Sequence, residues 1–161
     1  MKILLSSAIL LIAAACPAIA SAEWSYTEKE DLMRGVTNRW ALIASKNDVT
    51  LKQPYSGTAQ LGIQIRNMPE TAGEDTLIVL SQGPIDCSFK HCIVSVKFDD
   101  SKVRTYRGRP MGSGLAGVIK LEDQADFVER LRAAKRAIVE VSIWRHGPEQ
   151  FVFEPTGLVW K

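Results

Sequence analysis

The sequence predicts a mainly β protein, either an antiparallel β-sandwich-like fold or a β-rich α+β domain with one helix at about residues 123–136. Three observations carry this prediction. Short runs alternate apolar and polar side chains with a period of two. Turn-forming residues separate those runs. Beyond the first 22 residues, a single segment repeats its apolar residues with helical spacing.

The elements follow in order. Trp24 and Tyr26, then Trp40 and Leu42, alternate with polar neighbours around a turn at Arg34-Gly35, which predicts two strands. Leu61, Ile63 and Ile65 alternate with Gly62 and Gln64, and residues 77–80 form a continuous apolar run suited to a buried strand. Cys92, Val94, Val96 and Phe98 fall on one face, with Ser95 and Lys97 on the other. The turn Asp99-Asp100-Ser101 and a β-branched return over residues 102–107 make this a hairpin. For the helix, Asp123 is placed to cap the first turn and Asp126 to answer it. Phe127, Val128, Leu131 and Ala134 form one apolar stripe, which would seal one layer of the sheet. Arg132, Lys135 and Arg136 sit where they complement the helix dipole. Val139, Val141 and Ile143, the turn His146-Gly147-Pro148, and Phe151 and Phe153 give a second hairpin.

Residues 1–22 read as a signal peptide. Lys2 supplies a basic start, residues 3–15 are apolar apart from Ser6 and Ser7, and Ala20-Ser21-Ala22 presents small residues for cleavage between Ala22 and Glu23. The apolar run falls short of the roughly 20 residues that span a bilayer. Residues 23–161 then form a single β-rich domain, periplasmic or secreted, with no membrane span in the mature chain. Cys16, after Ala13-Ala14-Ala15, opens the alternative of a lipoprotein site. Such sites usually carry Leu where Ala13 stands, and Pro17 follows directly, so the favoured reading discards Cys16 with the leader.

Charge narrows the partners. Lys and Arg total 20 against 18 Asp and Glu, and this near balance argues against nucleic acid. Cys87 and Cys92 remain after cleavage, and in an oxidising compartment they are expected to pair as a disulfide worth roughly 2 kcal/mol. A redox pair would normally show two intervening residues rather than four. A metal site would need more ligands than His91 and the distant His146 provide, so no metal is expected.

Other motifs carry less. Gly112-Ser113-Gly114-Leu115-Ala116-Gly117 spells a dinucleotide fingerprint, but Val118-Ile119-Lys120-Leu121 reads as a strand where that fingerprint needs a helix. A surface loop and no cofactor are therefore expected. His91 and His146 could serve as bases, yet neither spacing suggests a triad, so no catalytic residue is assigned. Asp99-Asp100 and Glu122-Asp123 read as a hairpin tip and a helix cap. Arg104, Tyr106, Arg107 and Arg109 form the densest basic and aromatic stretch. It reads either as a solvated edge strand or as an anion or partner contact, with Arg107 facing away from Arg104 and Tyr106. Trp24, Trp40, Trp144 and Trp160 are expected mostly in the core, an exposed one marking an interface.

Four blocks run in order: Trp24 and Tyr26 with Asp31, Met33 and Gly35; Cys87 and Cys92 with Val94, Val96, Phe98, Asp99 and Asp100; Phe127 and Leu131 with Ala134-Lys135; and Phe151 and Phe153 with Gly157-Leu158 and Trp160. Together they resemble a family of small exported proteobacterial proteins of unassigned function, often hypothetical or prophage-associated. More distantly, their order is similar to an exported accessory family associated with type VI secretion. The resemblance implies a bacterial envelope protein, carries over no catalytic residues and supports a non-enzymatic role. The expectation is an exported binding or accessory protein acting on another envelope protein by contact. The alternatives are a small exported hydrolase of envelope material, or an inhibitor of a cell-wall-degrading enzyme working through a loop at residues 107–117.

Overall fold

A computed structural model describes residues 23–70, 73–87, 91–112 and 115–160. Cys16, Ala22 and the rest of residues 1–22, read above as a signal peptide, lie outside the described residues, as do Ser113 and Gly114 of the glycine motif. The chain runs β1 (Ser25–Asp31), β2 (Val36–Ala44), β3 (Val49–Thr50), β4 (Thr58–Ala59), β5 (Leu61–Met68), β6 (Gly73–Leu80), β7 (Cys92–Phe98), β8 (Arg104–Pro110), β9 (Val118–Leu121), α1 (Gln124–Ala133), β10 (Ala137–Ile143) and β11 (Gly147–Phe153). Among the described residues, nine strands make one antiparallel sheet in the order β1-β2-β5-β6-β9-β8-β7-β10-β11, and β3 pairs with β4 alone. The sheet is not closed, so the β-rich α+β form is the one adopted.

Register explains why one sheet suffices for a core. Cross-strand partners join Ala41 to Ile65, Ile63 to Ile78, Ile78 to Ile119, Tyr106 to Val94, Val96 to Val139 and Val139 to Phe151. Side chains alternate across a strand, so these pairs place one apolar face along most of the sheet's width. All of these residues are buried. The sheet therefore curves round its own inner face, burying it against itself and the elements at its two ends. At one end α1 inserts Phe127, whose ring meets Tyr106 edge-on at 5.3 Å and Phe98 at 6.0 Å. Leu51 and Ala59, from the segment carrying β3 and β4, join the same core. On the outer face Asp75 is fully buried between Arg66, which grips it with two nitrogens, and Lys120 at 3.3 Å, pinning β5, β6 and β9 side by side.

Both predicted hairpins form, and the β1–β2 turn uses Gly35 at φ +64°, a conformation open to glycine without strain. Four expectations need correction. The helix is shorter than residues 123–136, because Ala134 turns extended at ψ 145°. Asp123 sits at the N-cap without a side-chain hydrogen bond, and Asp126 is instead held by Tyr106 and Arg130. β8, expected as an edge, lies between β9 and β7; Arg107 and Arg109 are exposed because the outer face is wet, not because the strand lacks a neighbour. The tryptophans also fall outside the fully buried core, which is built on Phe127, Phe151 and Phe153.

The two edges of the sheet are finished differently. Beyond β11, the Lys46 N–H donates to the Val152 carbonyl at 2.7 Å, the Asn47 side-chain oxygen accepts from the Val152 N–H at 2.7 Å, and the Asn47 amide donates to the Gln150 carbonyl at 3.0 Å. Asn47 thus supplies the donor and acceptor that a neighbouring strand would provide. Beside β1 lies the segment after β11: the Trp24 Nε1–H donates to the Pro155 carbonyl at 2.8 Å, and the Tyr26 hydroxyl donates to the Gly157 carbonyl at 3.3 Å and accepts from the Val159 N–H at 2.8 Å.

Candidate functional site

Three connections converge at the end of the sheet opposite α1: residues 81–87 before β7, 111–112 and 115–117 before β9, and 144–146 before β11. Main-chain bonds tie them together. The Ile85 N–H donates to Ala116 O at 2.9 Å, Asp86 N–H to Ser142 O at 2.7 Å, and Trp144 N–H to Pro84 O at 3.0 Å. Gly117 is required here, since a Cβ on it would lie 2.8 Å from Leu80 O and 3.0 Å from Gly83 O. Cys87 and Cys92 stand at disulfide distance, fastening the first connection to the buried start of β7.

These loops frame a cleft of about 590 Å³ lined by Ile85, Asp86, Cys87, Pro110, Ala116 and Trp144, among others. Trp144 is 44% exposed, with the Arg145 guanidinium 4.3 Å from its ring centroid. Leu115, on the connection before β9 and next to the cleft residue Ala116, is also exposed. The walls are largely apolar, Asp86 offers one carboxylate and Arg145 one cation near the rim. Such an arrangement suits an inserted apolar side chain oriented by a few polar groups.

The four predicted contact residues do not gather into a patch. Tyr106 points inward and is 3% exposed, so it offers a partner no surface, which corrects that expectation. Its hydroxyl donates to Asp126 Oδ2 at 2.7 Å, and the Arg130 Nε–H donates to the same carboxylate at 2.9 and 3.0 Å. Arg130 and Tyr106 hold the Asp126 carboxyl below the ordinary range, while burial and then the Asp126 charge push the Tyr106 phenol well above its own. Arg104 and Tyr106 line a second cleft of about 430 Å³ beside the start of α1, together with Glu122, Asp123, Gln124 and Asp126. Three carboxylates there make it a poor anion site. Arg107 and Arg109 lie on the outer face, and Arg109 donates to Glu122 at 2.6 Å, lowering that carboxyl's affinity for its proton.

Neither histidine completes a catalytic set. The side chain of His146 is 1% exposed; its Nδ1 accepts from the Lys52 N–H at 3.0 Å and its Nε2 meets Glu149 Oε1 at 2.7 Å. The acid of a triad is present, but a main-chain amide stands where the hydroxyl would have to be. His91 is exposed, 3.9 Å from Glu122. The candidate inhibitory loop is shorter than residues 107–117, because β8 continues to Pro110.

Sequence reasoning missed Trp144 as the exposed tryptophan, although the signal was there: it follows Ile143, the last inward residue of β10, and so faces out. Among the described residues no helix is long and apolar enough to cross a membrane. The chain matches no family model, no curated protein and no solved structure.

Proposed function

We propose that this is an exported, non-enzymatic binding or accessory protein of the bacterial envelope, acting by protein–protein contact through the cleft beside Trp144. The observation that carries the reading is the combination at that cleft: largely apolar walls, an exposed tryptophan, and three loops held in place by main-chain bonds and the Cys87–Cys92 pair. Rigid aromatic anchors dominate binding energy at protein interfaces because little conformational freedom is lost when they dock. The disulfide and the leader-like residues 1–22 together support a periplasmic or secreted location.

A photo-crosslinking residue replacing Leu115 in intact cells tests this. One dominant adduct with an envelope protein is expected, and the added substitution Trp144→Ala should remove it. An adduct that survives Trp144→Ala refutes the assignment of the cleft. Turnover of cell-wall polymer by the purified protein refutes the non-enzymatic reading and favours the hydrolase.

A further inference from the structure

The segment after β11 is held against β1 by Trp24 and Tyr26, and a recess lies where it meets the first strands of the sheet. Tyr26 is opposite the buried Ala41, so Trp24, Tyr26 and Glu28 share the inner side of β1. From the helix side, the Arg132 guanidinium donates to the Trp160 carbonyl at 2.7 Å. The recess has a volume of about 240 Å³ and is lined by Tyr26, Glu28, Arg39, Asn67, Val159 and Trp160, among others.

Its lining is of two kinds. Glu28 pairs with Arg39 in register and Arg39 with Asn67, so these side chains form a row across β1, β2 and β5, about 5 Å apart at strand spacing. Arg39 Nε lies 3.1 Å from Glu28 Oε1, so the charges of the row cancel. The Asn67 side chain is half-buried, and its amide makes no hydrogen bond among the described residues. The other kind is aromatic. Tyr26 is 45% exposed, and its hydroxyl is already engaged by Gly157 and Val159, which fixes the ring and leaves its face as what it offers. Trp160 is half-buried, with its main chain held by Arg132.

We propose that this recess binds one ring of a neutral saccharide. A pyranose has apolar C–H faces and a rim of hydroxyls, each of which both donates and accepts. Its face lies on an aromatic ring, while its hydroxyls accept from Arg39 and the Asn67 amide and donate to Glu28 and the Asn67 side-chain carbonyl. Other classes fit less well. An anion meets Glu28 and a cation meets Arg39, and each of these charges is already matched by the other. A purely apolar guest strips water from the ion pair and from Asn67 and returns no hydrogen bond. Sites for drug-sized ligands measure roughly 300–1,000 Å³. The smaller volume here limits the guest to a single ring, with the rest of a polymer lying outside. None of these residues lines the Trp144 cleft, and the proposal does not rest on that reading.

The probes are chitotriose and cellotriose, neutral trisaccharides with and without acetamido groups, beside adenosine as a flat neutral control. In NMR titrations of the unaltered protein, at least one trisaccharide should shift the Trp160 indole N–H signal and leave that of Trp144 in place. Saturation transferred from the protein should be strongest at the C–H protons of one sugar ring. Asn67→Ala should weaken that sugar about fivefold, the worth of one hydrogen bond. Its Tm should stay at the parent value, because the amide bonds nothing in the fold. No shift with either sugar, a shift confined to Trp144, adenosine binding as tightly as the sugars, or undiminished affinity in Asn67→Ala overturns the proposal. Because the titrations use the unaltered protein, they decide the matter even if the variant folds poorly.

Discussion

Replacing Asn47 with alanine removes the side chain that covers β11, and the cost can be worked from its two bonds. The Val152 N–H is partly buried and loses its acceptor, and an unsatisfied buried donor costs about 1–3 kcal/mol. The Gln150 carbonyl is exposed, so water replaces the lost Asn47 donor at nearly no cost. The sum is about 2 kcal/mol, which for a domain of this size lowers Tm by about 7 °C. Thermal unfolding followed by circular dichroism reads the total. Asn47→Asp divides it, because aspartate keeps an acceptor for Val152 and loses only the donor to Gln150. It should cost less than half as much. Exchange of the Val152 amide should quicken in Asn47→Ala and stay slow in Asn47→Asp. A loss below 0.5 kcal/mol for Asn47→Ala, or equal losses in the two variants, refutes the reasoning and places the hold on β11 in the Lys46 bond.

Other perturbations have defined outcomes. The Cys87→Ala/Cys92→Ala variant should lose about 2 kcal/mol in urea unfolding, from the freedom returned to a short loop in the unfolded chain. Gly117→Ala should cost about 1–3 kcal/mol by the same measurement, since both atoms facing the new Cβ are main-chain oxygens with little room to retreat. Asp126→Asn should be less stable than the parent at neutral pH. The Asp126 carboxyl is depressed in the folded state, so its contribution is full above the unfolded value near 4 and disappears as pH falls through the folded value. The difference between the two proteins should therefore close in acid; a gap unchanged from pH 7 to pH 2 contradicts this.

Strand identity was legible because it is a local property. Val94, Val96 and Phe98, or Val139, Val141 and Ile143, display in a few residues which face meets the core, and the structure buries those faces. Strand order was not legible, because it depends on contacts distant in sequence. Arg107 and Arg109 of β8 report a wet outer face, and an interior strand of a one-faced sheet has such a face as much as an edge strand does. The same limit hid the acids. Asp126 satisfies the local pattern for a helix start, yet Tyr106, from β8, claims its carboxylate. Asp99 looks like an ordinary turn residue, but its carboxylate accepts from the N–H groups of Lys135 and Arg136 and so joins the β7–β8 turn to the start of β10. At the candidate cleft, the cysteine pairing was read from the sequence, whereas the outward position of Trp144 was missed although its place after Ile143 signalled it. The meeting of Pro84, Ala116 and Trp144 did not, because it depends on how three loops cross.

The bonds from Trp24 and Tyr26 to residues 155–159 have a topological consequence. They tie the first strand of the sheet to the stretch of chain that leaves its last strand, so the two outermost strands are linked through one short continuous tether. Loosening that tether frees both margins at once.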